Sequence, residues 1–417
     1  MPSGRSPGPT GNLLRRDACS ARKASCMSVL RTPSTELAPG VGIPQTVMIR
    51  AGTDKIRAQS DRYLPTLDGW RAVAILGVMI CHGCDAVFHP NGSHPNSWWH
   101  ALTRNGALGV DIFFGISGFL ICSRLLAEYR QNGSISLKRF YIGRLFRILP
   151  PYLTYLATLA VLAAAGLIAV SPQVWSSCLL FYRNYLPERQ SGAFYTGHLW
   201  SLAVEEHFYL LWPALLVFAG LPRARRLVVV LAAMIAGWRV WEFRHQWLAH
   251  CIEGVGFFPR TDIRLDGLLW GCWMALVLDV PAWRERCARL LSPGIWLGLL
   301  ASFIACVRYQ PPLAMMWQSI LIPLLLVGTV LHPRTLPGLG RISYSLYLWN
   351  SLFFPAMHNP QPLPLGMLQQ LPWSIVLTFG CASLSYYLVE RPMIRLGHTL
   401  KTRPASEWKE SERARAA

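Results

Sequence analysis

A chain of 417 residues with 52% hydrophobic and only 15% charged residues carries too little charge for an ordinary soluble domain, where about a quarter is usual. Its net charge of +19 does not describe a nucleic-acid binder, because the arginines are spread through loops between apolar segments instead of gathering on one face. Several of the eleven cysteines (Cys122, Cys272, Cys306, Cys381) sit inside apolar stretches, as small buried hydrophobes do, and not in the pattern of a disulfide framework.

Residues 1–62 are polar, rich in Ser, Pro, Arg and Gly, and lack the apolar core and cleavage site of a signal peptide. They read as a disordered tail or an over-extended reading frame, with Met27 or Met48 as alternative starts. A membrane domain over 63–396 and a basic cytoplasmic tail over 397–417 follow. Apolar runs near the length of a spanning helix, about 20 residues, occur at 67–87, 107–126, 148–170, 198–219, 227–246, 264–281, 293–307, 313–331, 342–358 and 371–393. The expected fold is therefore all-α, a polytopic transmembrane helical bundle of about ten spans.

Charge supports that count. With both termini cytoplasmic, the inner loops hold Arg124, Arg130, Lys138, Arg139, Arg144 and Arg147, then Arg223, Arg225 and Arg226. Arg284, Arg286, Arg289, Arg334 and Arg341 continue the series, while the outer loops (88–106, 171–197, 247–263, 359–370) are mixed or nearly uncharged.

Ionisable residues within spans are costly and are candidates for function. In the first span Arg71 and His82 lie 11 residues apart, so they share a helix face and are separated by about 16 Å of rise. Arg71 alone would suit snorkelling, and His82 alone a packing role; on one stripe they read as a site. Asp68 reads as a helix N-cap. Cys81 and Cys84 have C-x-x-C spacing without the further ligands of a haem or zinc site, so no metal is expected.

The second span contains Gly109, Asp111, Gly115, Ser117 and Gly118. Its small residues allow close helix packing, which is also the reading of Ser117 over an acyl relay; Asp111, near the outer end, is placed on the acceptor side. Arg144 and Arg147, at i and i+3 before the third span, can grip a phosphate or diphosphate bidentately, as coenzyme A presents, or anchor to anionic lipid. The fourth span carries His198, Glu205, Glu206 and His207. Glu205 beside His82 would fix its tautomer as in a triad; the alternative is an interhelical polar clamp. Arg264 in the sixth span is a substrate-side candidate, with Asp266 as its ion-pair partner or as the closure of a polar channel with Glu205. Trp98, Trp99, Trp175 and Tyr195 in outer loops suit either stacking on sugar rings or an interfacial belt.

Seven ordered blocks over residues 63–396 resemble the acyltransferase 3 family of integral membrane acyltransferases. They are Leu67-Asp68-Gly69 with the Arg71 to His82 spacing; Gly109 to Phe114 with Ile116 to Phe119; Arg144 to Pro150; Trp200-Ser201-Leu202 with Glu205, Phe208 and Tyr209; Arg264 with Asp266; Ile342 to Trp349; and Val389-Glu390-Arg391-Pro392. The resemblance implies transfer of an acyl group, expected to be acetyl, from cytoplasmic acyl-CoA to an extracytoplasmic carbohydrate or a glycoside, in a bacterial-type inner membrane. It makes His82 the essential histidine, as general base or acylated nucleophile, and places Arg71, Arg144 and Arg147 near the acyl-CoA. The block ending at Trp349 often continues with His in the family, where this chain has Asn350, and Trp70 stands where an apolar residue is usual. Only about 20 residues follow the last span, where some relatives carry a hydrolase-like domain, so acceptor contacts are expected from the outer loops. The rival readings are a transporter or flippase of an envelope glycan precursor, and a scaffold in envelope synthesis; neither requires thioester cleavage.

Overall fold

A computed structural model describes residues 65–88, 108–186, 193–251, 255–309, 314–332, 339–354 and 365–402, the side chains of 65, 83–88, 193, 249, 339 and 402 excepted. The tail at 1–62, Trp98, Trp99, Arg334, the side chain of Cys84 and residues 403–417 lie outside them. The described residues form helices and turns with no strand.

The principal helices are α1 (Pro65–Phe88), α2 (Leu108–Asn132), α3 (Leu137–Ala164), α4 (Trp200–Ala219), α5 (Leu221–His245), α6 (Thr261–Leu278), α7 (Pro281–Leu290), α8 (Pro293–Tyr309), α9 (Ala314–Leu331), α10 (Ser343–Phe353), α11 (Trp373–Ser385) and α12 (Arg391–Thr402). Each of the ten expected windows holds one of them, with shifted ends. Among the described residues, four segments are long and apolar enough to cross a membrane: α2, α3, α9 and Phe194–Ala219, which includes α4. The bent pair α6 and α7 passes the same test only when its two helices are taken together, as a broken span or a re-entrant loop. With its apolar helices, the chain is a multi-pass membrane protein.

Local chemistry sets several boundaries. α3 begins at Leu137, eleven residues before the expected 148, because the Ser136 side chain accepts from the Arg139 backbone N–H and caps a helix that then runs through Pro150 and Pro151. Arg144 and Arg147 thus lie within α3, on one face of a helix that begins ahead of the expected span. α6 stops at Leu278 and turns by 113° into α7, so the window 264–281 overran a bend. Gly220, at φ 70°, makes the tight turn between α4 and α5 that a side-chain-bearing residue would strain. Asp68 lies inside the first turn of α1, not ahead of it, and its carboxylate accepts from Arg71 at 3.0 Å.

α6 is buried nearly all round and packs chiefly on α2 and α5. Glycine makes the α2–α6 approach possible. A Cβ on Gly118 would lie 2.0 Å from the Leu268 carbonyl oxygen, and one on Gly271 2.4 Å from that of Gly115. These are backbone-to-backbone contacts, as expected for small residues between membrane helices. Outward faces of α3, α4, α5 and α11 present Leu153, Val161, Leu210, Phe218, Met234 and Leu384 to the surroundings. Polar groups turn inward, the reverse of a soluble bundle.

Candidate active site

The inward polar groups meet in a cavity between α1, α2, α3, α4 and α10, with about 710 Å³ of space including its open mouth. Arg71, Ser117, Arg144, Arg147, Glu205 and Tyr209 line it, with Ser201, Ser343, Tyr344 and Tyr347 on the remaining polar wall. Four sequence candidates, Arg71, Arg144, Arg147 and Glu205, therefore share one space.

The arginines differ in their engagement. Arg71 is held by Asp68, within electrostatic reach of Arg147 and Arg144. Arg144 stacks its guanidinium 4.7 Å from the centre of the Tyr209 ring. Neither Arg144 nor Arg147 makes a hydrogen bond or ion pair among the described residues. Two guanidiniums one helical turn apart, with no hydrogen bond to the described residues, have the geometry to grip a phosphate or diphosphate.

Deeper in, Glu205 accepts a hydrogen bond from Ser117 at 3.1 Å and another from the Tyr209 hydroxyl. Tyr209 lies at i+4 from Glu205, so its ring lies under Arg144 while its hydroxyl ties down the carboxylate. Glu205 is thus a clamp joining α2 to α4, and the expected contact with His82 does not form. Beyond it, Tyr347 donates to the His198 carbonyl and pairs with Ser201, each at 2.6 Å. His198 is buried edge-on between Tyr155 and Tyr347.

His82 stands past this layer and is not part of the cavity wall. Its partner is Asn350, with Nδ1 and Oδ1 2.6 Å apart. The amide nitrogen of Asn350 donates to the carbonyls of Leu346 and Tyr347, which turns Oδ1 toward the ring. An amide oxygen can only accept, so Nδ1 carries the proton and Nε2 keeps its lone pair. The sequence singled out Asn350 only for replacing a histidine; its spacing from Tyr347, at i+3, puts both on one face of α10.

Asp111 and Arg264 lie outside the cavity and neutralise each other at 2.7 Å. Arg264 is enclosed by the rings of Phe114, Trp200 and Phe258, the nearest at 4.6 Å. Asp266 pairs with Arg239 on α5, closing no channel with Glu205. Of the aromatic residues expected in outer loops, Tyr195 is buried and Trp175 is half-buried against the core. Trp70 donates to Thr329 at 3.0 Å, a polar tie from α1 to α9. Glu390 accepts from Ser345 at 2.8 Å, which fastens α10 to the π-helical segment Tyr386–Glu390 that joins α11 to α12.

A family profile described as an acyltransferase domain, acyltransferase 3, matches residues 64–389. A protein of Staphylococcus aureus (strain COL), named as a candidate O-acetyltransferase, is 31% identical over 384 residues, covering 82% of this chain and 59% of its own. The peptidoglycan O-acetyltransferase OatA of Listeria monocytogenes is 27% identical over 385 residues, 81% of this chain and 57% of its own. The O-acetyltransferase OatA of Staphylococcus aureus (strain NCTC 8325) is 27% identical over 372 residues, 81% and 58% respectively. This chain therefore spans somewhat more than half the length of these relatives. No solved structure matches it.

Proposed function

The chain belongs to the acyltransferase 3 family, and on that footing we propose a membrane O-acyltransferase that moves an acyl group, acetyl first of all, from cytoplasmic acyl-CoA to a hydroxyl of an extracytoplasmic carbohydrate or glycoside. The observation that carries the reading is the convergence of Arg71, Arg144 and Arg147 on one cavity, the latter two without an ion pair among the described residues, although Glu205 and Glu206 lie within electrostatic reach of Arg144. The peptidoglycan acceptor in the name of the Listeria relative supports a carbohydrate on the far side.

In this reading the ten windows are ten spans with both termini in the cytoplasm, and the arginine rim opens inward. Arg144 and Arg147 take the donor's phosphates, and the pantetheine arm runs up the bundle past Arg71. Eleven residues of α1 separate Arg71 from His82, about 16 Å, a distance that an extended pantetheine arm covers. His82 Nε2 takes the proton of the acceptor hydroxyl as that oxygen attacks the thioester carbonyl. The C–S bond breaks, and the departing thiolate receives the proton from the imidazolium. Glu205 holds Tyr209 and, through its ring, the attitude of Arg144. Asp111 and Arg264 stiffen the outer end of the site.

The test is thiol release from acetyl-CoA by purified, detergent-solubilised protein, wild type against His82→Ala, with a panel of sugar acceptors. Release that depends on both acceptor and His82 is expected. Undiminished transfer by His82→Ala would overturn the mechanism, and failure of the wild type to bind any acyl-CoA would favour a transporter.

A further inference from the structure

A second cavity opens beside the first, and Arg144 and Arg147 line both. Its other charged walls are Arg124, Glu128, Arg139 and Lys401. Five cations therefore face one carboxylate. That carboxylate is already engaged: Glu128 accepts from the Ser136 backbone N–H at 3.2 Å and stands 3.8 Å from Arg139.

Lys401 is delivered by α12, which packs along α3. The seat is close, since a Cβ on Gly397 would lie 2.7 Å from Cβ of Phe146. One turn on, the Lys401 side chain crosses directly over Gly143, where an added Cβ would lie 1.8 Å from Nζ. The ammonium is half-buried and makes no hydrogen bond or ion pair among the described residues. Burial first, and then the neighbouring Arg124 and Arg144, hold its pKa below that of an ordinary lysine. A cation withdrawn from water among other cations is unfavourable until an anion joins it.

Coenzyme A carries two separate anionic groups, a diphosphate and a phosphomonoester on the ribose 3′ oxygen. Two cavities sharing an arginine wall match that arrangement. We propose that the second cavity seats the adenosine 3′-phosphate of the donor, and that Lys401 is the residue that reads this phosphomonoester while Arg144 and Arg147 hold the diphosphate. The inference rests on the acyl-CoA reading above and adds to it a specificity residue. The same chemistry, a phosphate among cations, is also offered by an anionic lipid headgroup, so the test must separate the two.

The experiment compares acetyl-CoA with 3′-dephospho-acetyl-CoA on the full-length protein, by affinity and by kcat and KM. Wild type is expected to favour acetyl-CoA by roughly tenfold, the worth of one charge-assisted hydrogen bond. Lys401→Ala brings the ratio close to one through KM, and Lys401→Arg keeps it. Gly143→Ala gives the same collapse while retaining the lysine, because the new methyl displaces only the flexible end of the side chain. A ratio equal in wild type and Lys401→Ala overturns the inference while leaving the acyl-CoA reading intact. So does a Lys401→Ala effect confined to stimulation by phosphatidylglycerol over phosphatidylcholine vesicles, which assigns the site to lipid. A wild type that binds neither donor overturns both readings.

Discussion

His82 Nδ1 and Asn350 Oδ1 stand 2.6 Å apart, and two backbone carbonyls behind Asn350 decide which of them donates. The tautomer of the candidate base is set by a neutral amide on α10, with no carboxylate in the pair. Asn350→Ala releases the ring to rotate and to protonate on either nitrogen. A loss in kcat on the order of 10²-fold, with KM for acetyl-CoA little changed, is expected for a mis-set tautomer. Asn350→Asp, which keeps an acceptor in place, should retain more activity than the alanine variant. Wild-type turnover by Asn350→Ala in the thiol-release assay would show that the hydrogen bond only packs α10 on α1.

Tyr209 has two separable duties. Its ring carries the Arg144 guanidinium at 4.7 Å, and its hydroxyl secures Glu205. Tyr209→Phe keeps the ring and should raise KM for acetyl-CoA less than tenfold. Tyr209→Leu removes both, and a cation–π contact worth about 0.5–2 kcal/mol adds up to roughly another thirtyfold. Equal KM values for the two variants would remove the ring from the account of donor binding.

The sequence made the helices legible because apolar runs and arginine-rich loops report a membrane directly. Their ends were less so. The start of α3 depends on Ser136 capping a helix whose first turns are polar, and a hydropathy window discards those turns. The end of α6 depends on a 113° bend that composition does not encode. At the site, Arg71, Arg144, Arg147 and Glu205 were found because charge in an apolar setting is conspicuous. Asn350, Tyr209 and Tyr347 were not, since a neutral polar residue in a span acquires meaning only from what faces it on another helix. The pairing of Glu205 with His82 went astray for the same reason: helix periodicity fixes which residues share a face, while the partner across the interface is a matter of tertiary packing.

Gly118 and Gly271 are where α2 and α6 touch through their backbones. Gly118→Ala places a methyl 2.0 Å from the Leu268 carbonyl oxygen, and rigid backbone cannot yield as a side chain can. Overpacking of this kind costs about 1–3 kcal/mol or more, read as a fall in the thermal midpoint of the solubilised protein. Gly298, on α8, is the control: a Cβ there meets nothing within 4 Å. Gly298→Ala should be neutral or stabilise by about 0.4–1 kcal/mol. Similar midpoints for Gly118→Ala and Gly298→Ala would contradict the close approach of α2 and α6.

The Asp111–Arg264 pair allows a cleaner distinction between holding the fold and binding a substrate. The two side chains are 14% and 3% exposed, and Arg264 is walled in by three aromatic rings. Removing either partner strands the other in a dry setting, with a loss of about 3–5 kcal/mol. Removing both strands neither. Asp111→Leu and Arg264→Leu should each lower the thermal midpoint sharply, whereas the double variant recovers much of that loss and transfers acyl groups with a near-normal KM for the sugar acceptor. A double variant that is stable but has lost acceptor affinity would instead return both residues to the substrate side.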